Sequence, residues 1–566
     1  MAKSVERGAL PTLKSMSLSL RLLKQGRAVE DAFRDESEMD EIDAEIGRLF
    51  TGQGPAVPPS WNSFIGQFAR GGEPRLRNQS CGAIIFLEIE DDRAPKLKRT
   101  MALSFGTGHH ALDPDAFERG FGLRVVLNAV TRKNLRGIDV ATLDATTFLK
   151  RVQASRDADL DGFKIDIDRD LVRLAAGSPK DATFARSLAG KDALHLNGRT
   201  SANDIIAKCK KALTLYTAQD YKGDYSFIDF VTPVRDNALV DALDALAFSE
   251  IVNMTKGAPS DLHIALPDIL DPEESISIGY FGVGLRSGSK PEYAEVAIED
   301  YIYELGAGRM QDITDMAALR SSHEVRVMAD GEGDKRRKRK VYECLVYEAE
   351  YNGDLYVLFG GEWFAVEKAF YAAVEAGFVA IAAATPFVAF TTAESEREFI
   401  AELEVQADLL NMDQVKLNPL GTSNANLEPC DFLSRNKQFI HLKDGHSSAP
   451  ISHLWNQGLV SAESFVRDEK FRKDFRDAAI KRQKKFKKAG FEKLLPDGRS
   501  RPIPSEYTVV FGIMRSPYKK SGSLSVPFFS KVSLRAIADR VRLMGFGVEV
   551  HLIEKRPATK IRKKAA

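Results

Sequence analysis

Apolar and polar residues alternate through most of Met16–Lys24 (MSLSLRLLK), the period of a strand with one buried face, and Ala28–Arg34 then takes helical spacing. Ala83–Glu88 (AIIFLE) and Thr100–Phe105 (TMALSF) flank a charged stretch and predict neighbouring strands of a hairpin or meander. FGTGHH at 105–110 reads as the turn after the second strand, and Phe121–Asn128 (FGLRVVLN) as a further apolar segment. From about 140 to 322 strands and helices alternate. Phe163–Ile167, Phe227–Val231, Asp261–Ala265 and Ser275–Tyr280 read as strands, and Asn203–Tyr216, Ala238–Phe248 and Ala294–Tyr303 as helices. Glu324–Met328 and Val341–Ala349 bracket a charged loop, and Tyr356–Gly360 with Glu362–Ala365 forms a small hairpin around Trp363. Then come a helix over Ala393–Leu410, a strand over Gln438–Lys443, a helix carrying Gln457 and a strongly charged helix from about Ser461 to Ala489. Strand Tyr507–Met514, helix Leu534–Met544 and strand Val548–Ile553 close the chain.

This order predicts an α/β, more fully an α+β multidomain, protein. Its expected parts are an N-terminal α+β domain over 1–140 and a mixed α/β domain over 141–322. A hairpin-rich connecting region with a basic loop follows over 323–394, and an α/β sandwich with a mixed sheet over 395–566. A chain of 566 residues is too long for one core, and 44% apolar with 28% charged residues is an ordinary globular composition. The most apolar run, Ala376–Phe390, has 15 residues and a proline at 386. That falls short of the roughly 20 residues a membrane span needs, so it reads as a buried strand or helix. The N-terminus has no apolar export core. Cys81, Cys209, Cys344 and Cys430 are far apart with no CxxC pair, which argues against a disulfide framework or zinc knuckle. The expectation is a cytoplasmic protein with no membrane partner.

Charge changes the picture through its distribution. Lys plus Arg and Asp plus Glu both number 80, yet acid collects at Asp35–Glu45 and base at Lys335–Lys340, Lys481–Lys488 and Lys555–Lys564. Lys335, Arg336 and Arg337 on the basic loop, and Lys481, Lys484, Lys485 and Lys488 three or four apart on a helix, are candidate contacts to a nucleic-acid backbone. The alternative for each is a solvated tip or helix face. Asp166 and Asp168 could share a strand face, and His109 and His110 are adjacent, but nothing near either pair completes a site.

The chemistry concentrates in 428–458, EPCDFLSRNKQFIHLKDGHSSAPISHLWNQG. An acid, Asp431, precedes a strand that ends in His441-x-Lys443, and Gln457 sits one helix later. An acid can hold a hard cation, a lysine can stabilise charge on phosphoryl oxygens and a glutamine can orient phosphate or water. Ser447, Ser448, Ser452 and His453 could donate to phosphate, or the first two could cap the helix. These residues resemble the PD-(D/E)xK nuclease superfamily, with Asp431 as first acid, His441-x-Lys443 in place of acid-x-Lys, Gln457 as the helix residue, and Glu404 or Glu402 as the additional helical acid. The resemblance implies a restriction-endonuclease-like sandwich binding Mg²⁺ or Mn²⁺ through Glu404 and Asp431. His441 departs from the pattern. It is a poor Mg²⁺ ligand, so cutting would need Glu404, Glu428 or Asp431 to supply the missing oxygen.

Over most of its length the chain also resembles a bacterial family of unknown function called sporadically distributed proteins. SFGTG with FGLRVVLN, YVLFGGEWF, the central segment, and VPFFSKVSLR with GFGVEVHLIE carry this likeness. That family is associated with mobile elements and defence genes, and it too carries His before x-Lys. The expectation is thus a nucleic-acid-binding, nuclease-like protein of a defence or mobile-element system, DNA being favoured over RNA, with metal-dependent phosphodiester hydrolysis as its activity. The alternative is a non-catalytic sensor or adaptor that recognises foreign nucleic acid or a phage protein and recruits a defence-system partner. A third reading assigns the segregated charge to homo-oligomer contacts.

Overall fold

The computed structural model describes residues 15–556 apart from 36, 92–93, 143–147, 155–162, 164, 166–169, 259, 267–275, 286–292, 330–336, 420–426, 446–447 and 519–521. Asp166, Asp168, Lys335, Arg336, Ser447 and the end of the basic tail therefore lie outside the described residues, as does most of the strand expected at Phe163–Ile167. The chain is α+β, with helices and strands in several sheets.

The alternation at Met16–Leu22 makes the strand it predicts: Leu18, Leu20 and Leu22 are buried while the residues between them face outward. This strand lies in the middle of an antiparallel sheet of ten. On one side are Ala94–Gly106, Cys81–Asp91, Arg48–Gln53 and Asp40–Ile42; on the other are Leu194–Gly198, Ser187–Gly190, Asp170–Gly177, Leu135–Thr142 and Phe148–Gln153. Phe121–Ala129, expected only as an apolar segment, is a helix that buries Phe121, Val125, Val126 and Leu127 on the sheet. Two glycines permit that contact. A Cβ on Gly122 would meet the Ala193 carbonyl oxygen at 2.1 Å, and one on Gly190 would meet the Gly122 oxygen at 2.1 Å. Ala28–Arg34 holds only a 3-10 turn at Glu30–Ala32.

The second sheet is antiparallel, in the order Val231–Pro233, Glu362–Val366, Asp354–Phe359, Leu345–Tyr351, His263–Ile264. Phe227, expected in a strand, sits in a 3-10 turn at Ser226–Phe230, because pairing with Glu362–Val366 begins only at Val231. One face packs on helix Asn237–Thr255 and on a three-stranded sheet of Ile276–Phe281, Glu324–Ala329 and Arg337–Lys340. The other face, with Val357 and Phe359, packs on helix Lys368–Val379 and on Phe528, Phe529 and Val532. The apolar run at 376–390 is not one buried element: the helix ends within it, with Val379 69% and Phe390 48% exposed.

The C-terminal sheet runs Phe390–Thr391, Gly547–Lys555, Thr508–Arg515, Gln438–Asp444, Phe432–Ser434, Leu409–Asn411. Its first four strands are parallel and its last two antiparallel. Parallel neighbours need crossovers, which are supplied by helices Ser448–Arg467 with Glu469–Lys485, and by Phe528–Leu543. These helices cover one face, and the short helix Glu396–Glu404 covers the other. The sheet is thus mixed and buried on both sides. Two helices stand where one charged helix was expected, because Asp468 breaks the run and its carboxylate accepts the Phe471 amide at 2.6 Å.

The sheets redraw the expected boundaries. Position 140 falls inside strand Leu135–Thr142, and the first sheet continues to Gly198 because Met16 pairs with Gly198. Position 322 would separate Ile276–Phe281 from its partner Glu324–Ala329. The C-terminal part is also tied to the middle: Glu348 accepts the Phe528 and Phe529 amides at 2.7 and 3.0 Å, and Arg515 pairs with Asp261 at 2.8 Å.

Candidate functional site

The order of elements around the expected site is helix Glu396–Glu404, three antiparallel-connected strands, a helical crossover and a parallel strand. Gln438–Asp444 is the strand at which the sheet changes from antiparallel to parallel pairing. Its residues alternate between two cores: Phe439 packs under the long helices, Ile440 and Leu442 under Glu396–Glu404.

Asp431 enters the neighbouring strand and is held to this one. Its amide donates to the Ile440 carbonyl at 2.9 Å, and its Oδ2 accepts the Leu442 amide at 2.6 Å. Burial pushes the carboxyl up to about 8 against that hydrogen bond, and the charges of Asp413, Glu396 and Glu428 push the same way. Burial also raises Asp413, against Arg482, and raises Glu428 with Asp413 adding to it. Three carboxyl groups of raised proton affinity, Asp413, Glu428 and Asp431, therefore lie around the end of strand Gln438–Asp444, and the charge of Glu396 acts on each.

Lys443 stands among them. Its Nζ lies 2.9 Å from Glu396 at the start of the short helix, and the same carboxylate is 3.4 Å from the Asp444 amide. Lys555 holds Asp444 at 2.7 Å. The helical acid beside the lysine is thus Glu396, which the sequence reading did not single out. Glu404 lies at the opposite end of the helix, about 12 Å along its axis at 1.5 Å per residue, and accepts the Asn411 side-chain amide at 2.9 Å. Glu402 accepts the Thr391 hydroxyl at 2.7 Å.

His441 is brought next to Asp431 in sequence register but is 2% exposed, on the face of Phe511. Burial pushes its imidazole down to about 4, so it is neutral, and its Nε2 makes no hydrogen bond among the described residues. Gln457 is half-buried on the flank of helix Ser448–Arg467, roughly a third of a turn off the stripe of Leu454, Trp455, Gly458 and Leu459 that meets the sheet. Helix and strand nearly touch there, since a Cβ on Gly458 would meet the Phe511 ring at 2.4 Å.

Three lysines of the basic cluster, Lys481, Lys484 and Lys485, are exposed and make no ion pair among the described residues. The fourth has a structural task. Lys488 lies beyond helix Glu469–Lys485, and its Nζ donates to the carbonyls of Glu404 and Gln406 at 2.8 and 2.7 Å and to that of Leu409, closing the end of Glu396–Glu404. Arg337 opens a strand of the three-stranded middle sheet, outside the C-terminal unit.

The donor set does not fit the expected metal. Among the described residues no group of three or more His, Cys, Asp or Glu is arranged to hold an ion, His441 faces the core, and Glu404 lies at the far helix end. No described helix is long and apolar enough to cross a membrane. Compared with known proteins, residues 18–554 match the model of a family described as "Family of unknown function (DUF6119)". No curated protein and no solved structure matches.

Proposed function

The chain belongs to that family over nearly its whole length, and we propose that its C-terminal unit binds a nucleic-acid backbone without cutting it. The observation that carries this reading is the set of exposed lysines Lys481, Lys484 and Lys485 at the end of helix Glu469–Lys485, which no acid neutralises among the described residues. A nearby acid is otherwise engaged: Asp474 holds Lys470 at 2.6 Å. Unpaired ammonium groups one to four residues apart on a rigid helix suit successive phosphates. The element order and the Asp431 and Lys443 positions support descent from a nuclease-like architecture, while the buried neutral His441 supports loss of the cutting step. DNA as the preferred polymer, and a place in defence or a mobile element, belong to the same proposal.

A second reading, metal-dependent cleavage, is favoured by one observation: burial raises the proton affinity of Asp413, Glu428 and Asp431 around Lys443, with the charge of Glu396 adding to all three. One experiment separates the two. Plasmid and single-stranded DNA and RNA are incubated with the native chain, Asp431→Ala and Lys443→Ala in Mg²⁺ or Mn²⁺, and binding is followed against salt. The proposal requires tight binding whose logarithm falls with log salt, a slope that flattens by about 3 when all three lysines become Gln, and no cleavage. Metal-dependent cutting lost in both single variants overturns it in favour of the enzyme.

A further inference from the structure

A cleft lies outside the C-terminal unit. It opens between the first sheet with its helix Phe121–Ala129 and the edge of the five-stranded sheet, with an interior of about 140 Å³. Its walls are aromatic and basic together: Tyr216, Tyr221, Phe359 and Phe364 line it, and five of its side chains are Lys or Arg against three that are Asp or Glu.

The acids are already engaged. Asp192 and Glu362 lie 3.6 and 3.8 Å from Arg119, and Asp229 accepts the Tyr221 hydroxyl at 2.8 Å and lies 3.4 Å from Lys222. Arg235, at the rim, is paired with Glu118 at 3.1 Å. Arg124 is the exception. Its guanidinium lies 5.4 Å from the Tyr221 ring centre and 6.0 Å from that of Tyr216, and it makes no hydrogen bond or ion pair among the described residues. It is carried by the helix that packs without a gap on the sheet through Gly122 and Gly190, so its position is rigidly supported. Across the cleft Arg173 stacks over Phe359 at 5.5 Å.

We propose that this cleft binds a phosphorylated planar ligand of nucleoside monophosphate chemistry, its ring among the tyrosines and phenylalanines and its phosphate on Arg124. The unpaired guanidinium of Arg124 suits a phosphate monoester, which carries about −1.5 to −2 at neutral pH. Guanidinium is the side chain whose fork suits phosphate oxygens, and aromatic faces accept any flat heterocycle by stacking. The ligand would touch both the first and second sheets, so binding also raises the melting temperature.

The test titrates the full chain by calorimetry with AMP, GMP, CMP and UMP, with adenosine and inorganic phosphate alongside. At least one nucleotide should bind saturably, and more tightly than either fragment. Arg124→Gln should lose about tenfold or more of that affinity, the loss of a charge-assisted hydrogen bond, without lowering the melting temperature of the free chain. If Arg124→Gln melts early, Arg124→Lys supplies the same reading with the charge kept and the fork removed. Absence of saturable binding by all four nucleotides, equal affinity for inorganic phosphate, or undiminished binding by both Arg124 variants overturns the proposal.

Discussion

Replacing Asp431 by Asn should stabilise the C-terminal sheet, and by an amount that grows with pH. The unfolded chain ionises this carboxyl near 3.8, whereas burial and its acidic neighbours push the folded group up to about 8. Between those values the folded chain holds a proton that the unfolded chain has released, so stability is greatest below about pH 4 and falls as pH rises towards 8. Each pH unit costs about 1.4 kcal/mol, so the native chain gives up on the order of 4 kcal/mol at pH 7. Asn has the same shape, can accept from the Leu442 amide as Asp431 Oδ2 does at 2.6 Å, and never ionises. The gain should vanish near pH 4 and reach several kcal/mol at pH 8. A chain with several sheets does not unfold in one step, so the suitable assay is local: hydrogen exchange of amides in strands Gln438–Asp444 and Thr508–Arg515, followed from pH 5 to 9. A variant that gains nothing at pH 8, or gains equally at pH 5 and 8, would refute the reasoning. It would mean that Asp431 is ionised in the folded chain and held there by partners.

His441 supplies the opposite slope. Its imidazole is pushed from 6.5 down to about 4, so the unfolded chain takes up a proton first and stability is lost as pH falls through that window, by about 1.4 kcal/mol per unit. The slope should be visible by the same exchange measurement in the Asp431→Asn background and should disappear when His441→Phe is added. Gly458→Ala forces a methyl within 2.4 and 2.7 Å of Phe511 ring atoms and should cost about 1–3 kcal/mol, read as lost protection in both strands. Adding Phe511→Leu should recover part of it. Lys488→Met removes three hydrogen bonds from the connection between helix Glu396–Glu404 and strand Leu409–Asn411 and should destabilise that corner by about 1–3 kcal/mol while leaving the salt slope of nucleic-acid binding unchanged. An altered slope would return Lys488 to the binding surface.

Much of the C-terminal unit was legible because its signals are local. The strands at Gln438–Asp444, Thr508–Arg515 and Gly547–Lys555 and the helix at Phe528–Leu543 lie close to where periodicity puts them, since each carries its own buried stripe. The nearness of Asp431 to the strand of Lys443 is legible for the same reason, since they flank one strand and its neighbour. Glu396 was missed because its importance depends on where a helix start, capped by Ser395, lands relative to a lysine 47 residues later. Glu404 ends the same nine-residue helix, on the Asn411 side chain and away from Lys443.

By itself the sequence determined the alternation of strands and helices, the absence of a long apolar span, the basic stretches and the acid, lysine and glutamine order, because each of these is written in neighbouring residues. Only the tertiary structure decided which strands share a sheet, since Met16 pairs with Gly198 across a distance no periodicity encodes. It alone turned His441 into the core against Phe511, engaged Lys488 as a helix tether and left Lys481, Lys484 and Lys485 in water. The same lysine or histidine is a binding group or a structural one according to its burial and partners, and those are fixed by residues far away along the chain.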